Sequence, residues 1–193
     1  MTSLRAFIAV ELPAEIKAIL AAHARTLSAA NIRGLRAVRP EGVHLTLKFL
    51  GEISTEQAHD AGEAVRRIAA SSAPFPLRLN AAGVFPSEAR ARVLWVGVGG
   101  DLAALQTLRN GVEEACQALC FPRETGAFTP HLTLARLDER VSPAYRGRAV
   151  STHASGWRPE GSLFAATKIG LIRSHLQPGG AVYETVAEAS LTG

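Results

Sequence analysis

A chain of 193 residues, 47% hydrophobic and 20% charged, can close a core of its own and is too apolar to be a disordered polymer. Its formal charge of +4 and pI near 9.6 make a polyanionic partner more to be expected than an average composition would, although most of that charge is arginine and genomic base composition can produce the same bias. Cys116 and Cys120 have neither C-x-x-C spacing nor a complete metal-ligand set and read as small core residues. The apolar run Phe7 to Val10, closely followed by Glu11, Glu15 and Lys17, is too short for a secretory signal or a membrane span, so the expectation is a cytoplasmic protein.

The first element, LRAFIAVEL, reads as a strand, and Pro13 opens a helix with Ile16, Ile19, Leu20, His23 and Leu27 on one face, where His23 is expected to pack. After a loop containing Gly34 and Pro40 comes the strand HLTLKFL. A helix follows, begun by Ser54 with Gln57 three residues on, the pattern of a capping box, and His59 in its first turns is expected to be solvated. FPLRLNAAGVF alternates as a strand, a turn follows around Pro86 to Ala89, and RVLWVGV is the next strand. Asp101 can cap a helix carrying Leu105, Leu108, Val112, Ala115, Cys116 and Leu119 on one face. Pro130 then leads into the strand HLTLARL, and Ser142-Pro143 opens a weaker helix. GSLFAATKIGLI is expected as one long strand, and AVYETVAEA as the last. His153 and His175 stand in polar contexts and read as surface residues.

His131 follows His44 by 87 residues, and the same offset carries Phe7-Ile8-Ala9 onto Leu94-Trp95-Val96 and Gly83 onto Gly170. A strand–helix–strand–helix–strand unit therefore occurs twice, over roughly 4–90 and 91–177. The expected fold class is α+β: one domain of two similar lobes related by a rough two-fold axis, with mainly antiparallel sheets around a central groove.

Both units contain HLTL, as His44-Leu45-Thr46-Leu47 and His131-Leu132-Thr133-Leu134. The side-chain period of two on a strand puts each histidine and threonine on one face and the leucines on the other. With the leucines in the core, a two-fold axis would aim two imidazole–hydroxyl pairs at each other across a groove. The competing reading is inherited sheet architecture with both histidines merely packed. In-line displacement at a phosphodiester needs a base on the entering oxygen and an acid on the leaving oxygen. Imidazole, with an ordinary pKa near 6.5, serves as either, and the hydroxyls can donate to the non-bridging oxygens. Two histidines without a carboxylate at ligand spacing make a poor metal site, and the sequence contains no P-loop, no G-x-G-x-x-G and no G-x-S-x-G.

The runs VRPEGVHLTLKFLGE and FTPHLTLARL, the start RAFIAVELP, the stretch GVFPSEARARVLWVGV and the tail IGLIRSHLQPGGAVYE resemble the bacterial RNA 2′,3′-cyclic phosphodiesterase family. That family is also called 2′–5′ RNA ligase-like and belongs to the two-histidine phosphoesterase superfamily. The resemblance spans nearly the whole chain. It implies hydrolysis of an RNA 2′,3′-cyclic phosphate end, or of a cyclic nucleotide, to a 2′-phosphomonoester, with His44 as proton donor and His131 as the base that activates water. Beside it, the residues themselves lead to the expectation of substrate contacts from Thr46 and Thr133, no metal or cofactor, no membrane partner and a monomeric protein. Arg136 matches a family arginine of the phosphate site, and Phe49 holds the equivalent place after His44, as a base-stacking platform or as a core residue. Strict alternation puts both on the wrong face, so a bulge or strand end is needed to turn them inward. Lys48 falls on the catalytic face and reads as a solvated rim lysine or a phosphate contact. Other two-histidine activities (on ADP-ribose cyclic phosphate, on 2′–5′ oligoadenylate, or 2′–5′ RNA ligation) remain open, as does a noncatalytic RNA-binding module.

Overall fold

The computed structural model describes residues 3–159, 162–177 and 180–193. Strand β1 (Ser3–Val10) leads through Pro13 into helix α1 (Ala14–Ala29), which buries Ile16, Leu20, His23, Ala24 and Leu27. A short strand not anticipated from sequence, β2 (Leu35–Ala37), and a single 3-10 turn at Pro40–Gly42 precede β3 (Leu45–Ser54). Helix α2 (Thr55–Ala70) starts at the expected capping box: the Gln57 N–H donates to Ser54 Oγ at 3.2 Å and the Ser54 N–H to Gln57 Oε1 at 3.0 Å. Strands β4 (Phe75–Phe85) and β5 (Val93–Gly100) follow, then α3 (Leu102–Ala118), whose Ala104 N–H donates to Asp101 Oδ1 at 2.9 Å. Strand β6 (His131–Leu137), helix α4 (Pro143–Gly156), and strands β7 (Leu163–Ala166), β8 (Lys168–Gln177) and β9 (Gly180–Ser190) complete the order. Among the described residues, no helix is long and apolar enough to cross a membrane.

The strands form two antiparallel sheets, ordered β3-β1-β8-β9 and β2-β6-β5-β4-β7. The stretch expected as one long strand is broken at Thr167, and its halves serve different sheets: β7 pairs with β4, and β8 pairs with β1. The two copies of the repeat are thereby exchanged. β4, the last strand of the first unit, sits in the sheet of β5 and β6, whereas β8, the last strand of the second, sits in the sheet of β1 and β3.

Strand register refines the internal offset. Thr46 pairs with Ala9 and Thr133 with Trp95, so the histidine-bearing strands are offset by 87 residues but β1 and β5 by 86. The uniform offset read from sequence would superpose Phe7, which lines the groove, on Leu94, which is fully buried in the core. The second unit has one residue more between its first strand and its histidine.

One large core runs through both sheets. Ile8, Val10, Leu45 and Leu47 of the first sheet and Val96, Leu132 and Leu134 of the second pack with residues of α1, α2 and α3. A second cluster joins the end of α1 and Ala149 of α4 to Leu94 and Ala135. Each fully buried leucine contributes about 1.5–3 kcal/mol by leaving water. Phe7, Ala9 and Ile172, with Tyr183 against them, lie on the opposite face of the first sheet, toward the groove. The free thiols divide: Cys116 is buried, but Cys120 is exposed at a left-handed φ of 64° and is no core residue.

Candidate active site

Alternation begins as expected. Leu45, Leu47, Leu132 and Leu134 are at most 1% exposed, while His44, Thr46, His131 and Thr133 are half-buried on the other face. His44 stands immediately before β3 and His131 is the first residue of β6. Each imidazole is tied to a carbonyl two residues upstream. His131 Nδ1 donates to the Thr129 oxygen at 2.7 Å, and His44 is hydrogen-bonded to the backbone of Gly42. Gly42 and Thr129 are themselves 87 residues apart, so the device recurs in both copies. In the neutral ring of His131, a proton on Nδ1 makes Nε2 the nitrogen with a free lone pair, able to act on a ligand. Among the described residues, neither threonine hydroxyl has a hydrogen-bond partner within the protein.

Past the threonines, both strands break step in the same way. The register slips between Ile8 and Ala9 opposite β3 and between Leu94 and Trp95 opposite β6, so that Leu47 and Leu134 are each an extra residue in a bulge. Two consecutive side chains then enter the core, Leu47 with Lys48 and Leu134 with Ala135, and the next residues, Phe49 and Arg136, turn back to the groove. The bulge that Phe49 and Arg136 require is present in both strands.

Lys48 is therefore no rim residue. It is 1% exposed, and its ammonium donates to Glu113 Oε2 at 2.8 Å and to the Pro122 carbonyl at 2.9 Å. Arg109 bridges Glu113 and Glu124 and lies over the Phe128 ring, and Glu124 accepts the Phe49 N–H at 3.3 Å. This network ties β3 to α3 and to the segment that leads into His131.

The walls of the groove are not symmetric. The His44 ring stacks on Phe7 with centroids 4.3 Å apart and meets the edge of Tyr183 at 5.0 Å. The Tyr183 approach depends on Gly42, where a Cβ would lie 2.8 Å from the tyrosine ring. His131 instead meets Phe85 at 4.9 Å and Trp95 at 6.0 Å, and the Trp95 ring lies flat over Gly83, where a Cβ would be 2.3 Å away. Phe49 is 61% exposed beside Phe7, and its counterpart in the second copy is the exposed cation Arg136. Burial pushes the His44 pKa down to about 4, with the charges of Lys17 and Arg136 acting in the same direction and the Gly42 hydrogen bond opposing them. Arg136 belongs to the other sheet, so its action on His44 and on Tyr183 spans the groove.

Phe7, Phe85, Trp95 and Tyr183 were not singled out from sequence. Tyr183 lies on β9, beyond the second repeat, where subtraction of positions has nothing to match it against. The other histidines fall outside the groove. His59 is exposed, and His175 pairs with Glu184 at 2.9 Å near the surface. His153 corrects the surface expectation: it is 1% exposed, accepts from His23 Nε2 at 2.9 Å and donates to the Trp95 carbonyl at 2.9 Å. Among the described residues, no three His, Cys, Asp or Glu side chains converge as metal ligands would.

Residues 10–95 and 99–183 each match the family model described as LigT like Phosphoesterase. The chain is 39% identical over 194 residues to the RNA 2′,3′-cyclic phosphodiesterase of Thermus thermophilus, covering 98% of this chain and 91% of that protein. Among solved structures, it is similar to TT0787 of Thermus thermophilus, with a TM-score of 0.77 at 31% identity over 97% of this chain and 98% of that one. It is also similar to E. coli LigT complexed with 3′-AMP, with a TM-score of 0.74 at 27% identity and full coverage of both chains.

Proposed function

Since the chain belongs to the LigT-like phosphoesterase family, we propose that it hydrolyses the 2′,3′-cyclic phosphate at an RNA end to a 2′-phosphomonoester, without a metal, using His44 and His131 as acid and base. The observation that carries this reading is the paired geometry. Two H-x-T-x segments with the same carbonyl tether and the same bulge each present an imidazole and an unengaged hydroxyl to one groove.

In the proposed reaction, His131 Nε2 takes a proton from water as the water oxygen bonds to phosphorus. The P–O3′ bond breaks on the opposite side, and the imidazolium of His44 gives its proton to O3′. Thr46 and Thr133 donate to the two non-bridging oxygens, and the Arg136 guanidinium balances the charge that gathers there. The difference between Phe49 and Arg136 supplies the asymmetry that a two-fold repeat lacks. The terminal base stacks on the exposed Phe49 ring on one side, and the phosphate is held toward Arg136 on the other. A cytoplasmic location fits the two unbonded thiols, Cys116 and Cys120.

The test is turnover of an oligoribonucleotide with a cyclic-phosphate end in excess EDTA, with the product read by phosphorus NMR. A 2′-phosphate is expected, and replacing either histidine by alanine should lower kcat by roughly 10²–10⁴, while His59→Ala and His175→Ala leave it unchanged. An activated leaving group needs little protonation, so it should rescue His44→Ala far more than His131→Ala. Rescue of His131→Ala instead would reverse the roles, and activity that is lost on chelation and restored by a divalent ion would exclude the mechanism.

A further inference from the structure

We propose that the edge formed by β2 and β6 is a second binding surface, a track of arginines that holds the phosphates of the RNA strand on the 5′ side of the cyclic end. This inference rests on the proposed RNA-end activity and extends it from the terminal nucleotide to the chain behind it.

Among the described residues Arg5, Arg25, Arg67, Arg78, Arg90 and Arg123 have no side-chain ion pair or hydrogen bond and are scattered along the chain, and the other arginines fall into three groups. Arg66, Arg92, Arg109 and Arg173 are each paired with a carboxylate, and Arg146, Arg148 and Arg158 give their N–H groups to backbone carbonyls. Arg33, Arg36, Arg39, Arg136 and Arg140 have no side-chain partner of either kind among the described residues, and all five lie along the same edge. A cleft of about 270 Å³ is lined by Arg36, Arg39 and Arg136, with Tyr183 closing it on the side of the other sheet. A neighbouring cleft is lined by Arg33, Arg140 and the half-exposed Tyr145, and Asp138 lies in the wall of both. Among the described residues, Asp138 is the one carboxylate in either lining. One of its oxygens accepts the backbone N–H of Arg140 at 3.0 Å, and it forms no ion pair with the five guanidinium groups.

The placement is electrostatically costly unless an anion fills it. Arg36 and Arg136 are direct cross-strand partners, and like charges directly opposite each other destabilise a sheet. Two phosphate oxygens between the forks would turn that repulsion into charge-assisted hydrogen bonds. The line of cations begins at Arg136, which already acts on His44 across the groove, and runs outward past Arg36 and Arg39 to Arg33 and Arg140. A polyanion whose end is bound at the histidines would meet it without a gap. Tyr145 among the outer arginines offers a base a stacking surface, the pairing of cation and aromatic ring by which single strands are held without regard to sequence. An acidic protein partner would also meet the charge, but it would have no need of continuity with the histidine groove.

The test compares a cyclic mononucleotide with a short oligoribonucleotide ending in a 2′,3′-cyclic phosphate. The readout is the ratio of their kcat/KM values in the unaltered protein, in Arg33→Gln/Arg140→Gln, and in Arg25→Gln/Arg67→Gln. The last removes the same charge from exposed positions off the edge. The unaltered protein should prefer the oligonucleotide, the edge variant should lose roughly tenfold of that preference, and the control should keep it. Binding of the 2′-phosphate-ended oligonucleotide, followed by fluorescence anisotropy, gives a readout that needs no turnover. The salt slope of log Kd should fall by about 0.7 for each phosphate contact removed. Equal kcat/KM for the two substrates, or an edge variant indistinguishable from the control, would overturn the track while leaving the two-histidine reading intact. If neither substrate turned over but the anisotropy still singled out the edge variant, the hydrolytic reading would fall and the track would stand.

Discussion

At His44, burial and the two cations Lys17 and Arg136 hold the imidazole neutral down to about pH 4, yet the proposed role asks it to give a proton. The substrate resolves this conflict. A phosphodiester anion bound beside the ring offsets Arg136 and favours the imidazolium, so the pKa rises on binding. Because kcat/KM reports the free protein and kcat the complex, the ionisation of His44 should enter kcat/KM near pH 4 and kcat at higher pH. Replacing Arg136 by glutamine should move the ionisation in kcat/KM upward by removing one of the charges that depress it. Paired pH profiles of the two constants check this, and an ionisation in kcat at or below that in kcat/KM would contradict it.

At the scale of elements, the bulges of β3 and β6 decide which side chains reach the groove. Without them Phe49 and Arg136 would face the core, and Lys48 and Ala135 would take their places. At β3 the bulge sends a lysine inward, and the fold answers with Glu113 of α3, itself 2% exposed. The pair is not expected to be more stable than well-packed hydrophobic residues of the same size, but losing one partner leaves a buried charge alone. Glu113→Ala should therefore cost about 3–5 kcal/mol, measured by urea denaturation. It should also loosen the segment carrying Glu124 and Phe128, visible as faster amide exchange there. A loss below about 1 kcal/mol, the range of an exposed pair, would show that water reaches Lys48.

For the whole molecule, the exchange of β4 and β8 makes each sheet depend on both halves of the chain. Residues 3–90 expressed alone would leave one edge of β1 without β8 and would leave β4 without β5 or β7. Neither half should unfold cooperatively by circular dichroism, whereas mixing the two should restore one cooperative transition. The His23–His153 pair also acts at this scale, joining α1 to α4 and α4 to the Trp95 carbonyl. Burial lowers both pKa values, that of His23 to about 4, with His153 contributing second and the Gly156 backbone opposing. The folded state thus prefers neutral rings, and the unfolded chain takes up protons first as the pH falls through 6.5. Stability from this pair is complete above about pH 6.5 and is lost progressively toward pH 4. Urea midpoints should fall over that window, and the His23 ring should titrate by NMR near pH 4; a midpoint constant from pH 7 to 4 would refute the assignment.

The duplication, the α+β class, the helix caps at Ser54 and Asp101, and the placement of His44, Thr46, His131 and Thr133 opposite the buried leucines were legible in the chain. Periodicity and capping act between residues a few positions apart, and an internal repeat can be read by subtraction. What lay out of reach depends on partners distant in sequence. The bulges exist only in register with β1 and β5, and the burial of Lys48 only because α3 brings Glu113 to it. The break at Thr167 follows from β7 and β8 finding different sheets, and His153 is buried because α4 packs on α1. Tyr183, on a strand outside the repeat, reaches His44 because β9 pairs with β8 and Gly42 leaves room for the ring. Local chemistry named the groups proposed to react, whereas the walls around them were decided by tertiary pairing, since side chains far apart in sequence share a surface only once the sheets have formed.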